Sequence, residues 1–169
     1  MDRRASFWIR LASLVLDLLV ILLFGVLVGT YMGNSLAEFY FMGFLEEGVG
    51  LEAFDNMGPV FGSLAGIMIV ALIMMIVEGV SGVSFGKFLC RLRTMDADGN
   101  KIGNHFIRTS LKYVIPITSF VAGISGVLVL ASVGQILGII VFLGGFLSLS
   151  GSRLNLLDII TKSSVVRKV

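Results

Sequence analysis

The chain has 169 residues, 56% of them hydrophobic and only 14% charged. A soluble domain carries about 25% charged residues, so this composition excludes an ordinary water-soluble globule and indicates an integral membrane protein of one domain, residues 1–169. The net charge of +2 conceals a segregation, because no Lys or Arg occurs between Leu11 and Gly86.

The first apolar stretch, residues 7–31, reads as a spanning helix (TM1) that carries two charges. Arg10 opens it and Asp17 follows seven residues later. Seven residues are two helical turns, so both side chains share a face, about 10 Å apart along the axis. Arg10 is long enough to snorkel to the headgroups; Asp17 is not. A carboxylate at the centre of a spanning helix costs about 2.5–3.5 kcal/mol, so it must be paired, protonated or used. The run exceeds the ~7–15 residues of a signal-peptide core and is broken by Asp17, which marks a retained helix. Gly25, Gly29 and Gly33 recur every four residues, a face that admits a second helix closely.

Residues 32–58 hold five acids, Glu38, Glu46, Glu47, Glu52 and Asp55, and no base. Interleaved with Phe39, Tyr40, Phe41 and Phe44, they read as an external loop with an amphipathic piece on the membrane surface. Residues 59–80 form TM2, with Glu78 near its cytoplasmic end. Residues 81–112 are basic, with Lys87, Arg91, Arg93, Lys101, Arg108 and Lys112. Within 84–93, Phe85, Phe88, Leu89 and Leu92 at helical spacing predict an interfacial amphipathic helix facing anionic lipid. Asp98-Gly99 signals a tight turn, hence a small hairpin. Cys90 is the only cysteine, so no intramolecular disulfide forms. His105 is the only histidine; without companions at ligand spacing, no metal site is expected.

Residues 113–150 carry no charge, and one helix of that length would be roughly 57 Å long. Basic residues mark the N-terminus, the 81–112 segment and the tail, 151–169, as cytoplasmic, so 113–150 must cross an even number of times. The expected fold class is an all-α membrane protein with four transmembrane helices, cytoplasmic N- and C-termini and interfacial amphipathic segments. Residues 113–150 form the TM3/TM4 hairpin, bent near Pro116, or a re-entrant hairpin. No internal repeat is visible.

Three motifs in order resemble the RDD family of small membrane proteins. Arg10–Leu–Ala12 with Asp17 is similar to its first motif. Gly82–Val–Ser84–Phe–Gly86–Lys87, then Leu92–Arg93 and Asp98–Gly99, is similar to its middle signature, with Ser84 where the family has Thr. Arg108 matches a downstream arginine. Asn155–Leu–Leu–Asp158, Thr161 and Val165–Val166 resemble the closing motif, without the histidine that commonly precedes its aspartate. The resemblance implies Asp17 and Asp158 as the paired aspartates. It also implies a role in transport, some members being similar to cation/proton antiporters, or as an accessory subunit or fused domain.

Two functions stay open. In the first, Arg10, Asp17 and Asp158 form a structural network in a non-catalytic scaffold or accessory subunit, which is the leading expectation. In the second, Asp17 binds H⁺ and Na⁺ or K⁺ in turn, in an exchanger. No nucleophile–base pair, zinc constellation or phosphate loop is present, so neither an enzyme nor a cofactor is expected. The expected partners are the bilayer and its anionic headgroups, contacted by Lys87, Arg91, Arg93 and Arg108, and a second copy or another membrane protein. Nucleic acid is excluded as a partner. The expected location is a bacterial cell membrane, in a multi-pass arrangement.

Overall fold

The computed structural model describes residues 4–46, 51–96, 102–149 and 153–167. In chain order these form α1 (Phe7–Glu46), α2 (Leu51–Ser81), α3 (Phe85–Leu89), β1 (Leu92–Asp96), α4 (Ile102–Lys112), α5 (Val114–Ser125), α6 (Leu128–Gly145), a 3-10 turn (Phe146–Leu149), α7 (Leu156–Ile160) and β2 (Ser163–Arg167). Among the described residues, three stretches are long and apolar enough to cross a membrane: Phe7–Gly33, Pro59–Ser81 and Leu128–Leu149. α5 is apolar but has only 12 residues, about 18 Å of helix. A break at Tyr113 separates it from α4, because Pro116 lacks the N–H that would bond to the Lys112 carbonyl.

Two local expectations are corrected and one is refined. The acidic segment between the candidate spans is helical in its described residues: α1 runs to Glu46 and α2 begins at Leu51, with Gly33 as the kink (φ 43°, ψ −125°). Leu36, Ala37, Glu38, Leu51, Glu52 and Ala53 are strong helix formers, and their charge does not outweigh that preference. The amphipathic helix over 84–93 stops at Leu89, and the chain turns into a strand at Leu92. That strand does not fold back as a local hairpin. It pairs antiparallel with β2, so the chain is not purely helical. The Asp98-Gly99 turn lies outside the described residues.

The chain folds into two compact units. One gathers Met1–Leu19, Met74–Tyr113 and Gly138–Val169; the other gathers Val20–Ile73 and Val114–Leu137. The second unit is packed by shape. Gly25 and Gly29 of α1 lie against Gly62, Gly66 and Ile67 of α2, and a Cβ at Gly29 would overlap the Gly62 carbonyl and the Ser63 backbone. The small-residue stripe is therefore consumed inside the chain. Beside it Ala65, fully buried, packs against Val28, Met68, Ile69 and Phe120.

The first unit contains a repeat hidden from sequence inspection. Residues 82–96 and 153–167 build the same piece twice. Gly82 and Arg153 are both left-handed (φ 69° and 52°). Ser84 and Asn155 then cap short helices with nearly identical backbones (φ −92°, ψ 171° and φ −99°, ψ 174°), each accepting from the backbone N–H three residues on. α3 and α7 end at Cys90 and Thr161, followed by left-handed Arg91 and Lys162 (φ 53° and 49°) and then by the strands. The register centres on Thr94 opposite Val165, which relates the two copies by a local two-fold axis. Between them Ala5, Leu92 and Val165 form a small core. The Ala5 N–H donates to the Val165 carbonyl at 2.9 Å.

Candidate functional site

In each copy, the third residue of the short helix is charged and buried: Lys87 in α3 and Asp158 in α7. Each anchors an ionic cluster within the first unit.

The first cluster joins Asp17, Glu78, Lys87 and Lys112. The Lys87 ammonium donates to Glu78 Oε1 at 2.5 Å and to Thr94 Oγ1 at 2.7 Å. Lys112 bridges the two acids, 2.7 Å from Glu78 Oε2 and 3.0 Å from Asp17 Oδ2. Asp17 also accepts from the Ser84 hydroxyl and from the Gly86 N–H, both at 2.7 Å. Gly86 is required there: a Cβ would overlap the Ser13 carbonyl oxygen and press on Asp17 Oδ1, moving the donor off the carboxylate. Two acids and two ammonium groups leave the cluster formally neutral. Asp17 and Glu78 are each 1% exposed, so pairing must replace the water they lose.

The two lysines are tuned apart. Burial pulls Lys87 down to about 8; Glu78 opposes the fall, while Lys112 and Arg108 add to it. Burial would lower Lys112 as well, but Glu78, Tyr113 and Asp17 outweigh it and hold that ammonium well above its usual range. Its Nζ also lies 5.0 Å from the centre of the Tyr113 ring, a cation–π arrangement.

The second cluster joins Arg10, Arg108 and Asp158. Arg10 Nη1 donates to Asp158 Oδ2 at 2.6 Å, and Arg108 Nη1 donates to Oδ1 and, at 2.8 Å, to the Ser163 hydroxyl. Two guanidinium groups share one carboxylate, leaving an excess positive charge. Backbone carbonyls absorb part of it: Arg10 donates to Ala5, Arg153 and Val165 at 3.0, 3.0 and 3.3 Å. Asp158 is fixed by a capping box, its Oδ2 accepting from the Asn155 N–H at 3.1 Å while its own N–H donates to Asn155 Oδ1 at 2.7 Å.

The structure therefore brings Arg10 to Asp158, whereas Asp17, two turns along the same helix, belongs to the other cluster. Arg10 does not snorkel; its donors are taken by the Ala5 carbonyl and by the C-terminal segment. Lys87 and Arg108, expected to face headgroups, are turned inward because each is drawn to a buried carboxylate. Arg91 is exposed at the left-handed turn. Arg93 is half-buried on β1, its Nε without a hydrogen-bond partner. Cys90 is a free, half-buried thiol, and His105 is buried against Gly82.

The sequence reading missed Glu78 and Lys112 as site residues, although two signals pointed to them. Glu78 is the sole charge in its span, and Lys112 lies one turn after Arg108 on the same helical face. Among the described residues, no group of three metal-ligating side chains occurs.

The model of the RDD family matches residues 4–162, a range that includes both clusters. No curated protein matches the chain. No solved structure matches it either.

Proposed function

The chain belongs to the RDD family, and from its buried clusters we propose that it is a non-catalytic membrane scaffold or accessory subunit. The observation that carries this reading is the saturation of Asp17. Its carboxylate is 1% exposed and is occupied by a hydroxyl, a backbone N–H and an ammonium. An ion-exchanging carboxylate needs a free ligand position and a water path; this one is arranged as a fixed anchor. Arg10–Asp158 does the same for the other end of the chain, holding α1 to α7. Buried ion pairs specify geometry more than they add stability, which suits a part whose work is to present a defined shape to other membrane components.

The charge pattern supports cytoplasmic ends and four crossings in a bacterial cell membrane, with α5 as the short return span. Its length falls below the ~30 Å hydrocarbon thickness, and local thinning or a re-entrant path accommodates that.

Exchange of H⁺ for Na⁺ or K⁺ is the second reading, favoured by one feature: Lys112 is shared between Asp17 and Glu78, so displacing it would remove one cationic partner from two acids at once. Proteoliposome flux separates the two. The scaffold predicts no proton-coupled Na⁺ or K⁺ uptake by the wild type, and an Asp17→Asn variant with a lowered melting temperature. Wild-type exchange, abolished in an Asp17→Asn protein that stays folded, would overturn it.

A further inference from the structure

The third candidate span, Leu128–Leu149, differs from the other two. Only 6% of its apolar window is buried, against 22% for each of the others. Yet it is not uniformly apolar. Gln135 is exposed, seven residues after Leu128 and thus about 10 Å into the helix, inside a hydrocarbon layer of ~30 Å. Ser132, one turn before it on the same face, is exposed as well. Among the described residues, neither side chain has a hydrogen-bond partner. A primary amide carries two donors and an acceptor oxygen, and lipid tails satisfy none of them.

The surroundings of Gln135 have the spacing of a helix–helix seam. Leu128, Ser132, Gln135, Ile139 and Phe142 are separated by four, three, four and three residues, the a/d alternation of left-handed packing. All five are exposed. The glycine stripe at Gly25 and Gly29, the other surface suited to helix association, is already occupied by α2.

We infer that α6 is the face through which two copies of this chain associate in the membrane, with the Gln135 amides hydrogen-bonded to each other across a two-fold axis. The amide selects a second copy as the occupant because it is self-complementary. Around a two-fold axis each copy offers a donor where the other offers an acceptor, at the same depth, with no further polar group required. The small Ser132 side chain lets the helices approach at that level. This inference is independent of the choice between scaffold and exchanger.

The test uses the full chain reconstituted in liposomes, with donor- and acceptor-labelled copies mixed and energy transfer followed as lipid is added. The expected result is a wild-type dimer whose association weakens on the order of tenfold in Gln135→Leu and is retained in Gln135→Asn. Leu137→Ala, on the opposite side of the helix, is expected to leave it unchanged. Since Gln135→Leu removes a polar group from lipid, monodispersity of that variant is expected and is checked first. A second measurement is oxidative cross-linking on a Cys90→Ser background. Gln135→Cys is expected to form a covalent dimer and Leu137→Cys is not. A wild type that stays monomeric in liposomes, or a dimer indifferent to Gln135→Leu, would overturn the inference.

Discussion

The two helix–turn–strand copies share a backbone and differ in the sign of one charge. At equivalent positions α3 carries Lys87 and α7 carries Asp158. An acid suits the first turn of a helix, where unpaired N–H groups point outward; a base does not. Asp158 is accordingly held by its own helix through the capping box, and two arginines reach it from α1 and α4. Within its own copy the Lys87 ammonium meets only the Thr94 hydroxyl, and carboxylates from α2 and α1 gather around it and Lys112. A repeated scaffold can thus receive opposite clusters, provided that the rest of the chain supplies complementary charge. The acid copy is self-supporting; the base copy depends on its neighbours.

Breaking the acid copy should have the largest effect. Asp158→Asn leaves two buried guanidinium groups around a neutral amide and is expected to cost about 3–5 kcal/mol, seen as loss of monodisperse protein after extraction. Removing Arg108 in addition, as Arg108→Gln, should recover part of the loss. If the single variant melts like wild type, the two arginines do not depend on that carboxylate.

The caps sharpen the comparison. Ser84→Ala removes a cap and also a donor to the buried Asp17, and should cost about 2 kcal/mol. Asn155→Ala removes the cap and its half of the box, and should cost about 1 kcal/mol. Thermal unfolding of the two variants side by side checks the order, and equal losses would mean that the Ser84–Asp17 bond contributes little.

The comparison is also readable in pH. Lys87 titrates near 8 in the folded protein against an ordinary value of 10.5. Between those values the unfolded chain binds more protons than the folded one, so this group makes stability rise with pH across that window. Lys112, held protonated, acts in the opposite sense only above 10.5. Melting temperatures from pH 8 to 10 should therefore drift upward in the wild type and lose that slope in Lys87→Met. A wild type without the slope would place the Lys87 ammonium in a more polar setting than the one described.

Charges isolated in an apolar run are legible in the sequence: Arg10 and Asp17 stand out because each is costly where it sits, whereas Asp158 stands out only through its resemblance to the closing RDD motif. Their partners are not legible there. The contacts that satisfy them lie 148, 95 and 69 residues apart in sequence, and periodicity within a window carries no information about such pairings. The same blindness explains α3. Phe85, Phe88, Leu89 and Leu92 keep helical spacing, but Arg91 takes a left-handed conformation and Leu92 finds its partner on a strand far along the chain. The repeat escaped notice because its copies share backbone angles while their side chains differ at most positions.

The 148-residue separation of Arg10 and Asp158 has a consequence for biogenesis. At a synthesis rate of roughly 5–20 residues per second, α1 waits on the order of 7–30 s for its counter-ion to leave the ribosome. Throughout that interval the nascent helix carries a guanidinium without its carboxylate, whereas the partners of Asp17, being Ser84, Gly86 and Lys112, are made earlier. A chain stalled before α7 would keep the guanidinium bare, giving membrane proteases a chemical signature by which to tell an unfinished product from a finished one.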